Sequence, residues 1–146
     1  MSEDRAQIAE SMARLLRAVS FQVGGKPDYG ELHELFIDDA RLIKNSAEDP
    51  EISSVEEFIR PRRQSVDAGE LTWFEEVEVT EITEVFGNVA HRLSGYEKRG
   101  AMNGERIDAR GAISTQFIRT RDGWRMSSMA WDDERPGLAL PGRYRA

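Results

Sequence analysis

At Gly69 the hydrophobic period of this chain changes from that of helices to that of strands, and it does not change back. Leu71 to Val85 alternates, with Leu71, Trp73, Val77, Val79 and Val85 on one parity and Thr72, Glu76, Glu78, Thr80 and Glu84 on the other, as a half-buried strand requires. Phe86-Gly87-Asn88 supplies turn chemistry, Val89 to Arg99 reads as the next strand, and Gly100 to Gly104 as a flexible loop. A third long strand follows from Arg106 to Arg121, in which Ile107, Ile113 and Phe117 share a parity. Asp122-Gly123 is the strongest local hairpin signal, and the strand after it runs from Trp124 to about Asp133. Residues 134–146 carry two Pro and two Gly and read as an irregular tail.

Before Gly69 the spacing is helical. Ile8, Met12, Leu15, Leu16 and Val19 form the stripe of an amphipathic helix from about Glu3 to Gln22, ended by Gly24-Gly25. Pro27 and Asp28 open a shorter helix whose Tyr29, Leu32, His33 and Phe36 share a side. Ala40 to Lys44 reads as a short strand and Asn45 to Pro50 as a polar loop. Ser54 begins a third helix, with Glu57 three residues later in a capping box; Pro61 ends or kinks it, and helix is expected to about Val66. A chain of 146 residues suits one domain, residues 1–146, and its net charge of -7 argues against a nucleic-acid or anionic-membrane surface. The absence of Cys removes disulfides, thiolate nucleophiles and Cys-ligated metal, and favours a reducing compartment. The opening Met-Ser-Glu-Asp-Arg lacks the pattern of a secretory signal, so a cytoplasmic protein is expected.

Helices first and hairpin-linked strands afterwards give an α+β domain, three N-terminal helices packed on a curved antiparallel sheet. The order of elements resembles the nuclear transport factor 2-like (SnoaL-like) cone superfamily. So do the phrases 35–42 (LFIDDARL), 54–58 (SVEEF), 86–91 (FGNVAH), 123–126 (GWRM) and 131–135 (WDDER), over a stretch from about Gln7 to Tyr144. That resemblance implies a fold used by isomerases, dehydratases, cyclases and epoxide hydrolases. It carries no catalytic residues across, because no Tyr and Asp here match residue by residue the pair that assists the Asp base of ketosteroid isomerase.

Register decides which side chains meet inside. A two-residue turn at Asp122-Gly123 would set Phe117 against Ser128, Thr115 against Ala130 and Ile113 against Asp132. The helix-covered face then carries Trp124 and Met126 and becomes small at Gly95, Gly111, Thr115, Ser128 and Ala130, which predicts a cavity there. Tyr29 and His33 from the helical side, with Trp73, Gly95, Thr115, Phe117, Ser128 and Ala130 from the sheet, are the expected ligand-binding residues. His91 with Glu75 or Asp132 is the candidate acid-base pair, since desolvation raises a carboxyl towards the range where His titrates. Whether Glu75 shares a face with His91 depends on the first turn: an odd loop joins them and a two-residue Gly87-Asn88 turn separates them.

Other patterns are weaker. The ladder of Glu75, Glu76, Glu78, Glu81 and Glu84 reads as a solvated strand face with room for one inward member, and Arg60, Arg62 and Arg63 as a solvent-facing basic patch that could otherwise hold an anion. His33 and His91 lack metal-motif spacing, so neither metal nor cofactor is expected. Tyr96, Met129 and Trp131 fall on the parity opposite to Trp124 and Met126, an outer apolar patch that predicts a homodimer. The reading that follows is a small-molecule-binding domain. Its alternatives are a cofactor-free isomerase, dehydratase or cyclase-like enzyme, and a homodimeric interaction module.

Overall fold

Ser2 caps the first helix, its Oγ accepting from the Arg5 amide at 3.2 Å, in a computed structural model that describes residues 2–145. Helix α1 runs Glu3–Val19 and buries the expected stripe of Ile8, Met12, Leu15, Leu16 and Val19. A single 3-10 turn, Tyr29–Glu31, leads into the four-residue helix α2, Leu32–Leu35. The chain then enters strand β1, Phe36–Lys44, four residues earlier than the alternation suggested. A short strand β2, Glu51–Ser53, pairs back on β1 before helix α3, Val55–Asp67. The Ser54 capping box forms in both directions, Glu57 amide to Ser54 Oγ at 3.1 Å and Ser54 amide to Glu57 Oε1 at 2.8 Å. Helix α3 continues through Pro61 rather than ending there.

Four long strands follow: β3 Leu71–Phe86, β4 Val89–Met102, β5 Glu105–Thr120 and β6 Gly123–Asp133. They form one sheet in the order β2-β1-β6-β5-β4-β3, antiparallel except where β1 runs parallel to β6. The helices cover one face, so the chain is α+β as its sequence indicates. The expected loop at 100–104 is a tight turn on Asn103-Gly104, both at positive φ, with the strands continuous to either side. No helix among the described residues is long and apolar enough to cross a membrane.

The first hairpin turns on two residues, with Phe86 opposing Val89. That turn points Ala90, Arg92, Ser94, Tyr96 and Lys98 towards the helices and His91, Leu93 and Gly95 away from them. An extra residue at Val79 then reverses the parity of β3, so Glu76 and Phe74 face inward while Trp73, Glu75 and Val77 face outward. The second hairpin pairs Thr120 with Gly123, and Phe117 with Met126 where Ser128 was expected. That two-residue slip preserves faces. A bulge at Ser127 does not: beyond it Thr115 opposes Met129, Ile113 opposes Trp131 and Gly111 opposes Asp133, so Ser128, Ala130 and Asp132 turn outward.

Candidate functional site

Edge strand β3 has backbone groups with no neighbouring strand, and the chain leaving α1 takes them up. Phe21 and Phe74 exchange backbone hydrogen bonds at 2.8 and 3.0 Å, and the Glu76 amide donates to Ser20 Oγ at 3.1 Å. Glu76 is thereby fixed on the inner face, opposite Lys98. One strand further, β5 presents only Ala109 and Gly111 at this level. A Cβ on Gly111 would lie 2.5 Å from the Tyr96 hydroxyl and 2.1 Å from the Asp132 carbonyl, so its hydrogen lets Tyr96 lie across the strand. The Tyr96 hydroxyl donates its one proton to the Asp133 carboxylate, with the Asp132 carbonyl 3.0 Å from the same oxygen, and Lys98 Nζ stands 3.0 Å from Asp133 Oδ1. Glu76, Lys98, Tyr96 and Asp133 therefore form a polar floor spanning four strands.

Above this floor is a cavity of about 530 Å³, partly open to solvent. Leu15, Val19, Tyr29 and Leu32 wall it from the first helices, and Phe58, Pro61, Arg62 and Ser65 from α3. The sheet contributes Phe74, Ile107, Ile113, Met129 and Trp131 besides the charged floor. The Phe58 and Trp131 rings meet at 88° with centres 5.8 Å apart, while the Arg62 guanidinium lies over the Phe58 ring 3.6 Å from its centre and donates to the Phe58 carbonyl at 2.9 Å. Such a chamber, mostly apolar with a few converging polar groups, has the size and composition of a small-molecule site.

The floor is electrostatically uneven. Burial raises the Glu76 carboxyl to about 7, reinforced by Asp133 and opposed by Lys98 and Arg62. Glu76 counts as only half-buried because the cavity itself admits water to it; protein surrounds it on the remaining sides. Its carboxylate accepts no hydrogen bond from any described residue. Burial also raises Tyr29 and Tyr96, the latter further held by its hydrogen bond to Asp133. No group of three or more His, Cys, Asp or Glu among the described residues could hold a metal ion.

Most residues expected here from sequence are elsewhere. His91 lies on the outer face, its side chain half exposed and its Nε2 2.7 Å from Glu84 Oε1. Glu75 opposes Arg99 on that same outer face, and Asp132 pairs outward with Arg135 at 2.6 Å. The two-residue turn and the Val79 bulge act in opposite senses, so Glu75 and His91 share a face after all, but it is the wrong one. His33 is half exposed and pairs with Glu56 at 3.2 Å, away from the chamber. Trp73, Ser128 and Ala130 face outward, and Gly95 lies outside beneath the Tyr144 carbonyl. Thr115 and Phe117 do face inward but are packed into the core, leaving Tyr29 as the expected ligand-binding residue that lines the cavity.

Tyr96, Met129 and Trp131 face inward too, so they form no outer patch for a dimer. Of the glutamate ladder, Glu76, Glu78 and Glu81 turn in rather than one. Arg92 grips Glu78 through two hydrogen bonds of 2.9 and 2.7 Å and stands 3.1 Å from Glu81, which explains how β4 tolerates an inward arginine.

Solved structures share this architecture at low identity. A Kribbella flavida protein is 17% identical, with a TM-score of 0.75 over 90% of this chain and 91% of its own. A protein with a cystatin-like fold from Novosphingobium aromaticivorans, described as nuclear transport factor 2-like, is 19% identical, with a TM-score of 0.67 over 97% of this chain and 86% of its own. This chain has the nuclear transport factor 2-like fold. LinA shares it at 16% identity, with a TM-score of 0.73 over 97% of this chain and 92% of its own. No protein-family model and no curated protein sequence matches the chain. At these identities the nuclear transport factor 2-like fold is what is shared, and no residue's role comes with it.

Proposed function

We propose that the chamber binds a small molecule with a mainly apolar body, its polar end directed towards Glu76 and Arg62. The observation that carries this reading is the chamber of about 530 Å³ itself, walled by Leu15, Phe58, Ile113 and Trp131 and floored by charged groups. A protein that needed only a solid core would fill such a volume, since unfilled apolar space destabilises a fold. A ligand that binds only the folded state raises its stability by about 2.7 kcal/mol at a concentration 100-fold above Kd, a rise of several degrees in Tm. Screening apolar compounds by thermal shift should therefore give hits that a chamber-filling Ser65→Phe variant loses. Hits whose shift survives Ser65→Phe would place binding outside the chamber and sink the proposal.

A proton-transfer enzyme is the second reading, favoured by one observation: an inward carboxyl without a hydrogen-bond partner, raised to about 7 by burial. In this reading Glu76 takes the role that His91, Glu75 and Asp132 cannot fill from the outer face. Replacing Glu76 by Gln separates the two readings. Under the first, affinity for a hit changes by no more than a few-fold; under the second, binding persists while turnover is lost.

A further inference from the structure

Six charged side chains line the chamber: Lys44, Glu51, Arg62, Glu76, Lys98 and Asp133. Four of them neutralise one another, Lys98 with Asp133 at 3.0 Å and Lys44 with Glu51 at 3.8 Å. Arg62 and Glu76 are left, neither with an opposite charge within 4 Å among the described residues. The Arg62 guanidinium has five N–H donors and uses one, on the Phe58 carbonyl. Burial pulls it below the ordinary guanidinium range against the opposing pull of Tyr29, Glu51 and Glu76, so its charge is poorly solvated where it stands. Beside it, Tyr29 is only 4% exposed, lines the same chamber, and its hydroxyl has no hydrogen-bond partner among the described residues. The charges of Arg62 and Arg63 act directly on that hydroxyl. That hydroxyl is open to the chamber, so its donor and acceptor are free for whatever occupies it.

We infer that Arg62 and Tyr29 form an anion-recognising pair, and that the chamber's occupant is a small organic acid: a carboxylate set against guanidinium and phenol, with an apolar or aromatic body lying along Phe58, Trp131 and Ile113. The inference rests on the binding function proposed above and adds the substrate class. A carboxylate matches the planar fork of arginine in a way an amide or an amine does not, and the hydrogen bonds so formed are charge-assisted. The sheet beneath does not compete for the anion, because Lys98 is committed to Asp133. Glu76, which lines the same chamber, disfavours a second negative group and favours a hydroxyl or other donor on the ligand.

The test uses three probes with one body: biphenyl-4-carboxylate, biphenyl-4-carboxamide and 4-phenylbenzylamine, titrated calorimetrically into the whole protein. The carboxylate is expected to bind at least about tenfold tighter than the amide, the size of one charge-assisted contact. Arg62→Met should erase that preference while leaving amide affinity nearly unchanged, Arg62→Lys should keep part of it, and Tyr29→Phe should weaken the carboxylate alone by a few-fold. Circular dichroism establishes that each variant is folded; if Arg62→Met is not, Arg62→Lys and Tyr29→Phe still decide the matter. Equal affinity for acid and amide, or tightest binding of the amine, would overturn the inference and leave the binding function standing. A carboxylate preference that survives in both Arg62 variants would overturn it too. If none of the three probes binds, the inference falls together with the function it rests on.

Discussion

Glu75 and Glu76 are adjacent in the chain and on opposite sides of the sheet, and their environments separate them chemically. Glu76 is faced by Lys98 from β4, Asp133 from β6 and Arg62 from α3, with Ser20 holding its amide. Its carboxyl moves from an ordinary 4.5 to about 7, chiefly through burial. A pKa raised on folding means that the native state holds its proton to higher pH. The associated stability is complete below about pH 4.5 and is lost as pH rises through about 7, amounting to about 3 kcal/mol at most. The expected result is a fall in the denaturation midpoint between roughly pH 5.5 and pH 8.5 that is visibly smaller in Glu76→Gln. Equal falls in both proteins would mean that burial does not raise the Glu76 carboxyl. The same titration should weaken carboxylate binding at the higher pH, because an ionised Glu76 repels a second anion across the chamber.

The elements themselves were largely legible, because helix stripes, capping and turns are local signals. Ile8, Met12, Leu15, Leu16 and Val19 announced α1, and Ser54 with Glu57 announced the start of α3. What the pattern could not carry was parity across a bulge. Trp124 and Met126 are buried as read, but the extra residue at Ser127 brings Met129 and Trp131 inside with them. On β4 the rule that apolar residues face inward fails for a different reason. Arg92, Ser94 and Lys98 satisfy one another's neighbours on the inner face, through Glu78, Glu81 and Asp133, so the strand hides polar groups that look solvated. The small residues expected to thin the sheet, Gly95, Gly111, Thr115, Ser128 and Ala130, divide between the faces: Gly95, Ser128 and Ala130 point outward and Thr115 is packed in the core, while Gly111 stands at the floor and lets Tyr96 cross. Gly111→Ala should therefore destabilise the protein by roughly 2–4 kcal/mol, because its methyl meets both the Tyr96 hydroxyl and the Asp132 carbonyl. Tyr96→Phe, which only removes the hydroxyl, should cost less. A Gly111→Ala variant with unchanged melting would show that Tyr96 does not lie across β5.

At the scale of the molecule, the outer face of the sheet carries its own last residues. Glu134 accepts from Arg110 Nε at 2.7 Å and from the Leu140 amide at 2.6 Å, and Leu140 is buried. Further on, the Tyr144 carbonyl accepts from Thr80 Oγ1 at 2.9 Å, directly over Gly95. The segment expected to be irregular is thus pinned at two places, and the second exists only because residue 95 lacks a side chain. A Cβ at Gly95 would stand 2.1 Å from the Tyr144 carbonyl and 2.5 Å from Thr80 Oγ1. Gly95→Ala should lift the terminal segment while leaving the opposite face of the sheet, and the chamber on it, in place. Losing the two contacts at 95 lowers the cost of opening by an amount worth about tenfold in the rate of tryptic cleavage at Arg143 and Arg145. Binding of the chamber probes should stay within a few-fold of wild type. Unchanged cleavage would mean that the segment does not rest on the sheet. Cleavage and probe binding changed together would mean that the two faces are coupled through β4, whose alternate residues belong to each.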